Sequence, residues 1–210
     1  TGLMAEGSFS VGAFVRAARN AERPDALILL SPYTIDTKQH PLAMEDVPSI
    51  TLFGFILRPD SRGSLELRSR NPSEPPLIRT NYLTTDHDRE IAIGTARYIR
   101  RMVATPALQE IVQFESVPGP NYQSDDELLE AWRTKAGTGY HAIGTCAMGG
   151  DPASVTDPRL RVRGVSGVRV MDASILPHMV AGNTNAPVMA MARRAADLVL
   201  EDARLSNVNP

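Results

Sequence analysis

Several function classes are excluded by what the chain has little of. Its single cysteine, Cys146, excludes an intrachain disulfide framework and a thiolate-rich zinc site, and reads as a small packing residue. Its four histidines, His40, His87, His141 and His178, stand at no metal-ligating spacing, so no protein metal site is expected. Positive charge is not in excess: 22 Lys and Arg against 24 Asp and Glu leave a net charge of -2. A nucleic-acid binder driven by bulk basicity is excluded on that balance. Apolar runs such as residues 51–57 fall far short of the roughly 20 residues a membrane helix needs. No secretory signal or low-complexity segment is visible, which leaves the cytoplasm as the expected location. The glycine pattern Gly-x-Gly-x-x-Gly is absent, so the chain carries no dinucleotide fingerprint of its own. Gly139 and Gly144 followed by Thr145 lack the lysine of a phosphate loop, and Gly164-Val165-Ser166-Gly167 is one residue short of a nucleophile elbow.

What is there is ordinary globular composition, 42% hydrophobic and 22% charged over 210 residues, enough for one or two domains with a real core. Val11, Phe14, Val15 and Ala18 recur at helical spacing and predict a short helix over 8–20, against Gly12. The apolar run 26–31, bracketed by Pro24 and Pro32, predicts a buried strand, and the polar stretch 33–47 a loop. The β-branched and aromatic run 49–57 and the alternating 64–68 predict two strands. Turn residues 59–63 between them suggest an antiparallel hairpin. Pro72, Pro75 and Pro76 force 77–79 into an extended segment. A helix is predicted over 86–104, capped by Thr85 with Asp88 three residues on and ended by Pro106. Ser124-Asp125-Asp126-Glu127 spells a capping box whose helix turns Leu128, Leu129 and Trp132 to the core. Residues 168–171 predict a short strand, and a helix should run from Pro187 to about 203. The expected fold is therefore mixed: an antiparallel sheet with flanking helices over 1–152, then a strand-loop-helix segment of α/β type over 153–210, with the boundary at the turn residues 149–154.

Two stretches carry chemistry. The first, from Gly137 to Gly150, surrounds His141 with glycine and other small residues, so that backbone can approach a ligand closely. An imidazole titrates near neutrality and suits general-base work there; a turn histidine bonded to backbone would have the same sequence. The second is Asp172-Ala173-Ser174-Ile175-Leu176-Pro177 followed by Asn183-Thr184-Asn185-Ala186-Pro187. A strand ending at Asp172 places that residue where α/β sheets contact ligands. A helix opening at Pro187 would leave the N–H groups of Ala186, Val188 and Met189 free to bind an anion, unless the Asn-rich entry simply caps itself.

Together the two stretches resemble the C-terminal end of the glucose–methanol–choline (GMC) family of flavin oxidoreductases. The resemblance rests on Tyr140-His141-Ala142-Ile143-Gly144-Thr145-Cys146-Ala147-Met148-Gly149, on Val155-Thr156-Asp157-Pro158-Arg159-Leu160, on Val168-Arg169-Val170-Met171-Asp172-Ala173-Ser174-Ile175-Leu176-Pro177 and on Asn183-Thr184-Asn185-Ala186-Pro187. It extends upstream through Leu57-Arg58-Pro59 and Ser61-Arg62-Gly63-Ser64-Leu65. It implies an FAD cofactor and a small alcohol substrate, oxidised by hydride transfer to the flavin. His141 would be the general base and Asn183 would orient the substrate oxygen, a pairing like that of the choline-oxidising and related alcohol dehydrogenase members. It also implies that Asp172 and Ala173 lie beside the FAD phosphates and ribityl chain, and Asn185, Ala186 and Pro187 under the flavin pyrimidine ring. Residues 1–152 would then be the substrate-binding domain and 153–210 the C-terminal segment of the FAD-binding domain. The family's nucleotide fingerprint is missing, and the chain opens on Thr1. The expectation is therefore a C-terminal portion that needs a companion chain or an N-terminal half. Two alternatives remain on sequence alone: an FAD-containing cyanohydrin lyase of the same family, and a non-catalytic module keeping the fold.

Overall fold

A computed structural model of the chain describes residues 8–9, 11–36 and 43–208, with side chains up to 205. Thr1 and His40 lie outside the described residues. The chain forms two compact units, one of Thr1–Ser61 with Leu83–Gly137 and one of Arg62–Tyr82 with Thr138–Pro210. The turn residues 149–154 fall inside the second unit, where Gly149 N–H donates to the Thr156 carbonyl at 3.1 Å.

The first unit is a three-stranded antiparallel sheet covered on one face by helices. β1 is Val11–Val15, β2 Ala26–Ser31, β3 Ile35–Asp36, β4 Ala43–Met44 and β5 Thr51–Ile56. The sheet order is β1-β2-β5, with Val15 opposite Ala26 and Ala26 opposite Ile56, while β3 and β4 form a separate pair. The helix expected over 8–20 is corrected to the β1 strand. Val11, Ala13 and Val15 also satisfy a period of two, and a run this short is decided by its partner. The buried Asp25 carboxylate then accepts the N–H groups of Ala17 and Ala18 at 2.6 and 3.1 Å, which turns the chain where a helix would have continued.

The expected hairpin between residues 49–57 and 64–68 is also corrected. β5 pairs with β2, while β6, Ser64–Glu66, pairs with β7, Leu77–Arg79, in the second unit. The intervening residues are held elsewhere. The carboxylate of Asp88, only 1% exposed, accepts the N–H groups of Asp60 and Ser61 at 2.8 and 2.9 Å. The chain re-enters the unit at Leu83, a buried residue at φ 56°, whose carbonyl is bound by Arg89 Nε at 2.9 Å.

α1, Asp86–Val103, is capped by Thr85 as expected and packs on the sheet. Val15, Ala26, Ile28 and Ile91 form that core, with Leu52, Ile56, Ile99 and Met102 around it. Pro106 opens a further four-residue helix, α2, Pro106–Gln109. α3, Asp125–Lys135, begins with the full capping box. Its Leu128 and Leu129 are buried, and Trp132 Nε1 donates to the Ala92 carbonyl at 2.9 Å.

The second unit holds the β6–β7 pair, long loops, a 3₁₀ turn at Ala173–Ile175 and α4, Asn185–Val208. Leu160, Ile175, Ala195 and Leu198 form its core, flanked by Met148, Val170, Met171 and Met191. The strand expected at 168–171 does not extend into a ladder. It makes the isolated bridge Arg161–Arg169 and the bond from Val170 N–H to the Leu160 carbonyl, because Gly164 and Gly167, both at φ 77°, turn the chain on either side of Val165. Mixed helix and antiparallel sheet thus describe the two units among the described residues.

Candidate functional site

The loop that carries His141 is built by short-range constraint. Tyr140 sits at φ 58°, a left-handed conformation uncommon for a non-glycine residue, with its N–H on Thr138 Oγ1 at 3.1 Å. Gly144 turns the chain at φ 89°. Beyond it, Cys146 N–H donates to the Ser174 carbonyl at 3.0 Å and Met148 N–H to the Ile175 carbonyl at 2.8 Å. The 3₁₀ turn and the histidine loop are therefore one bonded layer. Asp172 opens that turn, its carboxylate accepting Ser174 N–H at 2.7 Å. Hydrogen bonding from the side chain and then the backbone of Ser174 holds the Asp172 carboxyl below its ordinary range. Asp172 is exposed and Ala173 half-buried.

Two adjacent residues far from His141 in sequence meet at its imidazole. Asn183 Nδ2 lies 3.0 Å from His141 Nε2, and Thr184 Oγ1 lies 2.7 Å from His141 Nδ1. An amide nitrogen only donates, so Nε2 carries the lone pair and Nδ1 the proton, which is donated to Thr184. His141 is half-buried, Asn183 exposed and Thr184 buried. Expectation from sequence named His141 and Asn183 and missed Thr184. Its one signal was its place between two asparagines immediately before a helix.

α4 begins at Asn185, two residues before the expected Pro187. This changes the set of free donors. Val188 N–H is taken by the Thr184 carbonyl at 3.0 Å, and Met189 lies one residue deeper in the helical ladder. The N–H groups of Asn185 and Ala186 are the ones beyond reach of any carbonyl within the helix, and both residues are exposed, with Pro187 half-buried behind them. Anion-favouring backbone thus follows directly on the Asn183 and Thr184 that contact His141.

His87 and His178 are exposed. Among the described residues no cluster of His, Cys, Asp or Glu is arranged to hold a metal ion, and no helix is long and apolar enough to cross a membrane.

Comparison with known proteins bears on the family of the chain. Residues 59–192 match the family described as GMC oxidoreductase. An alcohol dehydrogenase [acceptor] of Pseudomonas putida is 39% identical over 198 residues, covering 94% of this chain and 36% of that protein. The mitochondrial choline dehydrogenase of Homo sapiens is 38% identical over 202 residues, covering 95% and 34%. The chain thus spans about a third of the length of the curated relatives it matches. Among solved structures, pyridoxine 4-oxidase from Mesorbium loti superposes with a TM-score of 0.77 at 29% identity, over 89% of this chain and 36% of that one. An FAD-dependent oxidoreductase from Chaetomium thermophilum follows at 0.72 and 26%, over 88% and 29%. With the family match spanning well over half of its residues, including the whole His141–Asn183–Thr184 arrangement, the chain belongs to the GMC oxidoreductase family.

Proposed function

We propose that the chain is the part of an FAD-dependent oxidoreductase that binds and deprotonates an alcohol, with His141 as general base and Asn183 as the group that orients the substrate oxygen. The observation that carries this is the 3.0 Å approach of Asn183 Nδ2 to His141 Nε2. An alcohol oxygen within reach of both, taking the place of their direct contact, would donate its proton to the Nε2 lone pair and accept a hydrogen bond from the amide. The Asn183 amide does not titrate at neutral pH, so its contribution is geometric: it restricts the oxygen to one approach. The imidazole takes up the proton as the C–H bond is broken, and the Nδ1 bond to Thr184 persists in the charged state.

The residues fit an FAD. The Asn185 and Ala186 N–H groups and the positive end of the α4 dipole favour negative charge on a flavin pyrimidine ring, by about 0.3–2 kcal/mol from the dipole alone. An ionised Asp172 accepts from hydroxyl groups and repels phosphates, so of its two expected neighbours the ribityl chain is the one its carboxylate suits; Ala173 beside it has only backbone to offer. When bound, the flavin supplies the two-electron acceptor for the alcohol C–H. The adenosine and pyrophosphate half of the site would come from a companion chain or an N-terminal half. The substrate-binding role of residues 1–152 and the completion of an FAD domain by 153–210 belong to the same proposal. The relatives named above are dehydrogenases and oxidases, which favours redox chemistry over the lyase and the non-catalytic module.

Anaerobic mixing of the flavin-loaded protein with a panel of alcohols that includes choline tests the proposal. Bleaching of the oxidised flavin band is expected with at least one alcohol. Replacement of His141 by Ala should slow that bleaching by about 10²–10⁴-fold. A bleaching rate unchanged in His141→Ala would remove the base assignment.

A further inference from the structure

Thr184 is the one member of the histidine arrangement to which the sequence reading assigns no role. It is 8% exposed, and its hydroxyl lies 2.7 Å from His141 Nδ1. A threonine immediately before a helix ordinarily spends its side-chain oxygen on the N–H of the second or third helical residue. Here the third helical residue is Pro187, which has no N–H to offer. The oxygen is directed instead onto the imidazole, on the side opposite Asn183.

We propose that Thr184 is a positioning residue that holds His141 in the Nδ1-protonated tautomer and so keeps the Nε2 lone pair facing Asn183 and the substrate. Imidazole tautomers differ little in energy when unconstrained, and the partner of one ring nitrogen decides which state the other adopts. With Nδ1–H donated to a buried hydroxyl oxygen, Nε2 is left as the acceptor. Without that oxygen the ring can carry its proton on Nε2, where it cannot take another from an alcohol and would face the donor side of the Asn183 amide. The inference rests on His141 being the base.

The test separates the hydroxyl from the methyl. Thr184→Val keeps the shape and removes the oxygen, and Thr184→Ser keeps the oxygen and removes the methyl. In ¹⁵N-histidine spectra of the full chain, assigned by the signal lost in His141→Gln, neutral His141 should show its proton on Nδ1. Thr184→Val should shift it toward the Nε2 tautomer, and Thr184→Ser should not. In the flavin-loaded protein, Thr184→Val should lower the flavin reduction rate at saturating alcohol by about 10–100-fold, the range seen when partners of metal-bound histidines are removed, with KM nearly unchanged. Thr184→Ser should recover most of it. An Nε2-protonated wild-type His141 would overturn the proposal even if no variant folds. A wild-type tautomer and rate in Thr184→Val would overturn it as well. Normal reduction in His141→Gln would instead sink the base assignment beneath it.

Discussion

At the scale of single residues, buried polar groups set local geometry in both units. Asp88 is the clearest case in the first. It sits in the first turn of α1, where the dipole favours a carboxylate, yet it is used mainly to hold residues 60 and 61. Burial opposes its ionisation, and hydrogen bonds from Ser61, from the Asp60 and Ser61 backbone and from Thr85 outweigh that, leaving its carboxyl below the ordinary range. Such a group stabilises the fold above the unfolded carboxylate value near pH 4 and loses that contribution as pH falls through the lower folded value. Replacing Asp88 by Ala strands two backbone donors that it satisfies. Because those donors lie at a partly exposed turn, a loss of about 1–3 kcal/mol in all is expected, read as a lower midpoint in urea unfolding followed by circular dichroism. At the site, Thr184 is the corresponding polar group. Its hydroxyl, which at most helix starts would cap the first turn, lies instead 2.7 Å from His141 Nδ1.

Elements meet at distances that leave some positions only one solution. Gly94 lies in the middle of α1, where glycine is normally unfavourable by about 1 kcal/mol relative to alanine. A Cβ there would come 2.1 Å from the Ala17 carbonyl oxygen and 2.6 Å from its carbon. Those are backbone atoms of the turn that Asp25 closes after β1, so they cannot swing aside as a side chain would. The gain in helix propensity is therefore outweighed, and Gly94→Ala should destabilise the first unit by about 1–3 kcal/mol, seen as a fall in melting temperature. The same element scale explains the helix start at the site. Pro187 signals a first turn from sequence, but two residues of freedom remained. The Val188-to-Thr184 bond settles the start at Asn185 and transfers the free donors to Asn185 and Ala186.

At the scale of the whole molecule, each unit carries its own closure. In the second, the far end of α4 is fastened to the 157–170 loops by charge. Arg159, Arg161 and Arg169 converge on the Asp202 carboxylate, Arg159 at 2.6 Å, and Arg159 and Arg194 also reach Glu201 at 3.1 and 3.0 Å. Hydrogen bonds from Arg169, then Arg159 and Arg161, hold the Asp202 carboxyl well below the usual carboxylate range. A carboxylate depressed in this way contributes fully above about pH 4, and the contribution fades as pH falls further. Unfolding followed from pH 6 down to acid should show this unit losing stability below about pH 4. Asp202→Asn should be less stable at neutral pH and show less of that acid dependence. An unchanged acid profile in Asp202→Asn would show that the arginines do not depend on this partner.

Much of this molecule is present in its sequence. Local signals sufficed where a segment's own residues satisfy its backbone, as Thr85 and the Ser124–Glu127 box did in beginning α1 and α3, and where an unbroken apolar run asks for burial, as 26–31 did in becoming β2 between β1 and β5. The residues proposed to bear chemistry were also legible, because His141 and Asn183 lie in motifs dense enough to carry the family resemblance. What sequence could not decide was partnership. Residues 11–15 suit a helix or a strand until β2 supplies donors and acceptors, and β5 and β6 looked like a hairpin until Asp88 held the turn between them. Thr184 belongs to the same class. Pro187 denies its hydroxyl one capping partner, but nothing in the chain names a histidine 43 positions away as the replacement, since a hydrogen bond is read from distance in space, and only the folded chain brings those two atoms to 2.7 Å.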